Sequence, residues 1–222
     1  ADHPVIQGLL AWYAGGEHFD GKTWAITVES NNDYPHAPWW HTESAGSCHT
    51  DYNGTAEIAG FIACYAKKDS DTFQLGVRVA NEAVAALSPE EIQDMHTCAC
   101  YIHMAEFFEK GNVTEYIPYR ELKEKLHRSV NKLIEKDTSK WGSYVCQPHC
   151  FFDSKKSEYY PENREIADYE CGHIIDTQFD DGSWEIPWQW QGYPDEWAVS
   201  KNWWKGQKII ENLLYLKGFG KY

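Results

Sequence analysis

Basic residues are scarce in this chain. Lys and Arg together number 20 against 34 Asp and Glu, so the 222 residues carry a formal net charge of −14. A chain this acidic repels a phosphate backbone unless its basic residues gather in a stripe, and the sequence contains no such stripe. We therefore expect no nucleic-acid partner.

Long apolar runs are also missing. Charged residues interrupt every apolar stretch well short of the roughly 18 residues that indicate a membrane span, and the first residues, ADHPVIQG, lack the charged-then-apolar order of a signal peptide. The seven Cys are an odd number without an evenly spaced framework, which favours a reducing compartment. These features predict a soluble cytoplasmic protein without a membrane span, with secretion as the alternative.

No Pro-, Gly- or Ser-rich linker and no low-complexity run divides the chain, so we expect one domain over residues 1–222. Apolar residues recur at steps of three and four, which predicts helices and an all-α fold. The predicted helices cover residues 4–14, 55–67, 73–87, 88–110, about 118–133, 161–177 and about 195–217. The long loops between them, residues 17–53 and 138–160, are of a length that usually carries function.

Aromatic residues are abundant, since 11 Trp, 14 Tyr and 9 Phe make up 15% of the chain. Indoles in this number usually line a cavity as well as fill a core. The loop over residues 31–43 combines prolines with Trp39 and Trp40, and a second aromatic group follows in Trp184, Trp188 and Trp190. We predict these five indoles to be ligand-binding residues. The alternative interpretation is that they only fill the centre of the fold.

The segment Gln178-Phe-Asp-Asp-Gly-Ser-Trp184 follows the end of a predicted helix. It resembles the QW motif of the terpenoid cyclase and protein prenyltransferase superfamily. Other segments are similar to recurring parts of small bacterial members of that superfamily, and these are Pro35–Trp40, Asn53–Ala56, Trp204–Gly206 and Leu216–Gly220. The resemblance implies an α/α toroid of antiparallel helical hairpins, as a shortened or open ring. It also implies an apolar, isoprenoid-type ligand in an aromatic-lined cavity.

The acidic motifs of these enzymes are absent. The chain contains neither the Asp-x-Asp-Asp sequence of class II cyclases nor the Asp-Asp-x-x-Asp sequence of class I synthases, and residues 176–181 have the wrong spacing. The activity therefore stays unassigned, and whether the protein is an enzyme stays open. Two alternatives are a carbohydrate-active α/α toroid enzyme and a non-catalytic accessory binding protein. The candidate catalytic residues are Asp33, His36 and Glu43, of which Asp33 and Glu43 would be the acid pair of a sugar enzyme.

No motif implies a cofactor firmly, although one pattern allows zinc. His96, Cys100 and His103 follow one another at steps of four and three, which places them on one face of a helix. Imidazole and thiolate are ligands that zinc prefers. A fourth ligand would have to come from elsewhere, for instance His149 or Cys150. The alternative is a half-buried helix face of hydrogen-bonded histidines and an inert thiol.

Overall fold

The structure, a computed structural model, describes residues 2–43, 51–87, 92 and 94–221. Within these ranges the chain forms seven α-helices and no β-strand, and a single antiparallel bridge joins Phe19 to Trp24. The helices are α1 (Pro4–Ala14), α2 (Thr55–Tyr65), α3 (Asp71–Ala86), α4 (Met95–Lys110), α5 (Tyr119–Leu133), α6 (Tyr160–Asp176) and α7 (Pro194–Gly218). The all-α prediction is confirmed. No helix in the described ranges is both long and apolar enough to cross a lipid bilayer.

Most helix ends lie close to their predicted positions because the signals that set them are local. Helix α4 ends at Lys110, directly before Gly111. Its predicted start at Ser88 lies outside the described residues, and the helix that the structure describes begins at Met95. Asp94 caps it, since its carboxylate accepts a hydrogen bond from the backbone N–H of Thr97 at 2.7 Å.

The chain divides into two compact units. The first unit contains the described residues of 1–29 and 42–129, and the second unit contains those of 30–41 and 130–222. Helix α5 runs across the boundary in the sequence between the two units. One domain over residues 1–222 stays a prediction, and so does the toroid arrangement of hairpins.

In the first unit, helix α2 packs closely against α3 and α4. Ala56 and Ala59 on α2 are fully buried. A Cβ atom added at Gly60 would lie 2.7 Å from the Met104 Cα of α4, and one at Gly76 of α3 would lie 2.8 Å from the Ile62 Cγ2. Small residues at these positions let the helix backbones approach one another and fix the position of α2.

In the second unit, α7 packs on α6 through aromatic residues. The Tyr215 ring stacks on Phe219 with ring centres 4.5 Å apart, and the Tyr215 hydroxyl donates to the Ala167 carbonyl at 3.3 Å. The loop before α6 is tied to the end of α5, because the Trp141 indole N–H donates to the Glu135 carbonyl at 3.0 Å. These contacts hold the 138–160 loop against its own unit.

Candidate functional site

An aromatic pocket of about 230 Å³ opens in the first unit between α1, the start of α2 and α4. Its walls combine aliphatic and aromatic side chains with one carboxylate. The lining residues are Leu9, Tyr13, Gly54, Glu57, Ile58, Phe61 and Phe107. We take this pocket as the candidate ligand site of the first unit.

Helical spacing brings the walls of the pocket together. Leu9 and Tyr13 lie one turn apart on α1, and Glu57 and Phe61 lie one turn apart on α2. Phe61 joins the three helices, since its ring meets Tyr13 edge-on at 6.3 Å and Phe107 edge-on at 5.9 Å between ring centres. Edge-to-face pairs of this kind hold aromatic walls in a defined orientation.

The polar group of the pocket is Glu57, which pairs with His103 on α4 at 3.3 Å. Its hydrogen bond raises the pKa of His103, an effect that outweighs the opposing effect of burial. Burial raises the pKa of Tyr13, and the charge of Glu57 adds to that shift. No Lys or Arg is among the lining residues, so no lining side chain offers a diphosphate a positive charge.

The predicted zinc residues do not converge on a metal position. Cys100 is buried, and its sulfur accepts a hydrogen bond from the Gly54 N–H at 3.2 Å. Burial raises the pKa of this thiol, which opposes the thiolate that zinc needs. His103 pairs with Glu57, and His96 is exposed. Across the described residues, no group of three or more His, Cys, Asp or Glu side chains is placed to hold a metal ion.

The predicted indoles at residues 39 and 40 are exposed in the second unit. Trp39 and Trp40 form the end of a short 3₁₀ turn and are 53% and 45% exposed. Beside them, the His36 and His41 rings stack with centres 5.4 Å apart, and the His36 ring lies 5.8 Å from Tyr193. The loop therefore meets the segment that precedes α7.

The other three predicted indoles pack on side chains or backbone of the second unit. Trp184 is buried, and its indole N–H donates to the Ile174 carbonyl of α6 at 2.8 Å. Trp188 lies edge-on to Trp204 at 5.5 Å, and Trp190 lies 5.4 Å from Trp197. None of the five predicted indoles is among the residues that line the pocket of the first unit. The aromatic lining of that pocket comes from Tyr13, Phe61 and Phe107 instead.

The segment that resembles a QW motif forms a local turn after α6. The Gln178 side-chain amide donates to the Gly182 carbonyl at 3.1 Å, and Gly182 has a φ of +82°. A positive φ of this size favours glycine over residues with a Cβ. The hydrogen bonds of Gln178 and Trp184 thus both stay within residues 174–184.

The predicted catalytic residues are divided between the two units. Asp33 ends a 3₁₀ turn and belongs with His36 to the second unit, whereas Glu43 belongs to the first unit. Asp33 and Glu43 are both exposed. The role of the two carboxylates as an acid pair stays a prediction.

Sequence analysis did not single out Tyr13, Phe61 and Phe107 as ligand-binding residues. A signal was present, because Phe107 continues the helix face of Cys100 and His103, and that face does border the pocket.

Comparison with known protein families, with curated proteins and with solved structures finds no match to this chain.

Proposed function

We propose that this protein binds an apolar, isoprenoid-type ligand in the aromatic pocket of its first unit. The observation that carries the proposal is the lining of the pocket, where Tyr13, Phe61 and Phe107 surround a concave space together with two aliphatic side chains. Pockets that bind small molecules are typically apolar with few polar groups. The resemblance to the terpenoid cyclase superfamily supports the same ligand class and a toroid arrangement of the helices.

The size of the pocket suits one end of an isoprenoid chain. Its volume of about 230 Å³ is below the roughly 300–1,000 Å³ of sites that enclose a drug-sized ligand. An apolar stripe on α1 extends beyond the pocket, because Val5 and Trp12 are 61% and 41% exposed and flank the lining residue Leu9. The remainder of a longer chain would lie along this stripe.

The charge of the pocket selects a neutral ligand. Glu57 is the only carboxylate among the lining residues, and no lining residue is basic. A diphosphate placed there would face a negative charge without a counter-charge, in a protein whose net charge is already −14. An alcohol could instead donate a hydrogen bond to Glu57. The favoured ligand is therefore an isoprenoid alcohol or hydrocarbon, and the function is binding, with no acid motif to start a cyclisation.

Equilibrium dialysis with radiolabelled farnesol tests the proposal. Ile58→Trp would fill the pocket from a half-buried position, and we expect it to weaken farnesol binding about tenfold or more, which corresponds to about 1.4 kcal/mol. Trp203→Ala is the control, since Trp203 is 73% exposed in the second unit and should leave binding unchanged. Farnesyl diphosphate should bind more weakly than farnesol.

Equal farnesol binding by the wild type and by Ile58→Trp would contradict the proposal. The carbohydrate alternative has one observation in its favour, the exposed pair Trp39 and Trp40. Binding of a soluble glucan oligosaccharide that Trp39→Ala abolishes and Ile58→Trp does not change would support that alternative instead.

A further inference from the structure

Five chemically active side chains of the second unit gather around one short 3₁₀ turn, Pro148–Cys150. The turn and the residues before it supply Cys146, His149 and Cys150. Helix α6 contributes Glu170, and helix α7 contributes Lys208. We name this group the thiol cluster. It lies in a different unit from the aromatic pocket and has no part in the proposed ligand site.

The imidazole of His149 lies between Glu170 and Lys208. Glu170, which is fully buried, accepts a hydrogen bond from the His149 backbone N–H at 3.1 Å and is also bonded to the ring Nδ1. On the other side, the Lys208 Nζ lies 3.1 Å from Nε2. The two hydrogen bonds to Glu170 fix the orientation of the ring, and Lys208 places a further positive charge at its opposite edge. His149 also forms a side-chain hydrogen bond with Cys150, so this fixed ring lies beside the thiol.

The two thiols of the cluster interact with each other. Cys146 is within hydrogen-bond reach of the Cys150 sulfur. Cys146 is 8% exposed, whereas Cys150 is only partly buried. A disulfide from solvent therefore reaches Cys150 before it reaches Cys146.

The surroundings of Cys150 favour its thiolate. The hydrogen bond from Cys146 and the positive charge of His149 hold the pKa of Cys150 well below its ordinary value, against the effect of burial. Burial alone would lower the pKa of His149, but the charges of Glu170 and Cys150 raise it to about 10. Cys64, another partly buried cysteine, differs because burial raises the pKa of its thiol.

A buried polar group without a partner lies on the same helix as Lys208. Asn212 is one turn further along α7 and is 2% exposed, and its side-chain Nδ2 has no hydrogen-bond partner among the described residues. Tyr215 follows, with its ring centre 6.4 Å from that of His149. Buried amides are nearly always hydrogen-bonded, so this unused donor is an exception within the second unit.

We propose that Cys150 and Cys146 form a redox-active dithiol that reduces small organic disulfides, with Cys150 as the attacking thiol and Cys146 as the resolving thiol. His149 and Glu170 act as positioning residues, and Lys208 adds a positive charge on the opposite side of the ring. Oxidised glutathione represents the substrate class.

The proposed reaction requires only Cys150, Cys146 and the substrate disulfide. The Cys150 thiolate attacks one sulfur of the substrate, an S–S bond forms to Cys150, and the substrate S–S bond breaks to release one thiolate. Cys146 then attacks the Cys150 sulfur and forms the Cys146–Cys150 disulfide. The proton of the Cys146 thiol leaves with the second substrate thiol. The substrate disulfide is reduced by two electrons, and the protein dithiol is oxidised by two electrons.

Mass spectrometry can follow this reaction on one peptide. Trypsin cleavage after Lys140 and Lys155 releases residues 141–155, which contain Cys146 and Cys150 and no other cysteine. After reduced protein is treated with oxidised glutathione, we expect this peptide to carry an internal disulfide. In Cys146→Ser, we expect one glutathione to accumulate on Cys150. Cys150→Ser should show neither product, and Cys64→Ser should behave like the wild type.

The role of His149 is tested by the pH dependence of alkylation. With iodoacetamide at about pH 6, Cys150 should react at least about tenfold faster than Cys64, because the thiolate is the nucleophile. His149→Gln should move the midpoint of the Cys150 profile to higher pH, and His173→Gln on α6 should leave it unchanged. Circular dichroism of each variant checks that the helices are intact.

Two results would overturn the proposal. One is a wild-type peptide 141–155 whose two cysteines both stay free under conditions that oxidise a reference dithiol. The other is Cys146→Ser protein that gains no glutathione on Cys150 while its helical content is unchanged. Either result would leave the thiol cluster as a structural group.

Discussion

At the scale of single residues, the pair of Glu57 and His103 sets the charge of the aromatic pocket. We expect Glu57→Gln to lower the pKa of His103 towards the ordinary value of about 6.5, because the hydrogen bond to the carboxylate is the main cause of its raised pKa. An NMR titration of the imidazole protons measures this shift. Glu124→Gln on α5 is the control, and an unchanged His103 titration in Glu57→Gln would contradict the assignment.

The same pair predicts a small dependence of stability on pH. Because the pKa of His103 is raised in the folded state, the stability from this pair is fully present below about pH 6.5 and is lost as the pH rises through the folded-state pKa. Both side chains are close to half exposed, so solvent limits the contribution to less than about 1 kcal/mol. Urea unfolding of the wild type and of Glu57→Gln should differ at acidic pH and converge at alkaline pH.

The residues of α4 show how far sequence reasoning reaches at this scale. Helical spacing correctly placed Cys100 and His103 on the same part of α4, since spacing along a helix is a local property. It could not show that their partners would be Gly54, which directly precedes α2, and Glu57 of α2. Those contacts depend on how two separate helices pack against each other. The apolar spacing within one helix does not predict that packing.

At the scale of helices, the close approach of α2 and α4 depends on Gly60. We expect Gly60→Ala to destabilise the protein by about 1–3 kcal/mol, because the new Cβ would lie 2.7 Å from the backbone Cα of Met104. Chemical denaturation measures the loss. Gly8→Ala on α1 is the matched control, since no atom lies within 4 Å of its Cβ position, and it should stabilise the helix by about 0.5–1 kcal/mol. Equal effects of the two substitutions would contradict the packing described for α2.

The start of α4 depends on the Asp94 cap. We expect Asp94→Ala to lower the free energy of unfolding by about 1 kcal/mol at neutral pH, because it removes the cap. Asp94→Asn should keep most of the stability that the cap contributes, since Asn is also a good N-cap. Burial raises the pKa of Asp94, but hydrogen bonds from Thr97 outweigh that effect and lower it. The charged Asp94 cap therefore stabilises the protein at pH values above about 3.9, which is the ordinary pKa of Asp. This stability is lost as the pH falls through the folded-state pKa of Asp94. Urea unfolding at neutral and strongly acidic pH tests this, and equal losses at both would contradict it.

At the scale of the whole molecule, sequence reasoning predicted the all-α fold correctly, whereas its choice of ligand-binding residues stays a prediction. The apolar period of residues 73–87 and Gly111 after α4 predicted helices and ends that the structure contains. The abundance of indoles did not show which of them line a pocket, and Trp203 is in fact 73% exposed. A high content of aromatic residues predicts a cavity, but the residues that line it are determined by contacts between segments that are distant in the sequence. The buried Glu170 of the thiol cluster was overlooked for the same reason.

The central claim is that an isoprenoid chain occupies the aromatic pocket of the first unit, and photo-crosslinking tests it most directly. A farnesol analogue that carries a diazirine on its chain is irradiated with the protein, and the labelled residues are identified by mass spectrometry. We predict labels on residues 9–13, 57–61 and 107, with competition by unlabelled farnesol. Labels confined to Trp39, Trp40, Trp188 and Trp190, or labels that farnesol does not displace, would contradict the claim.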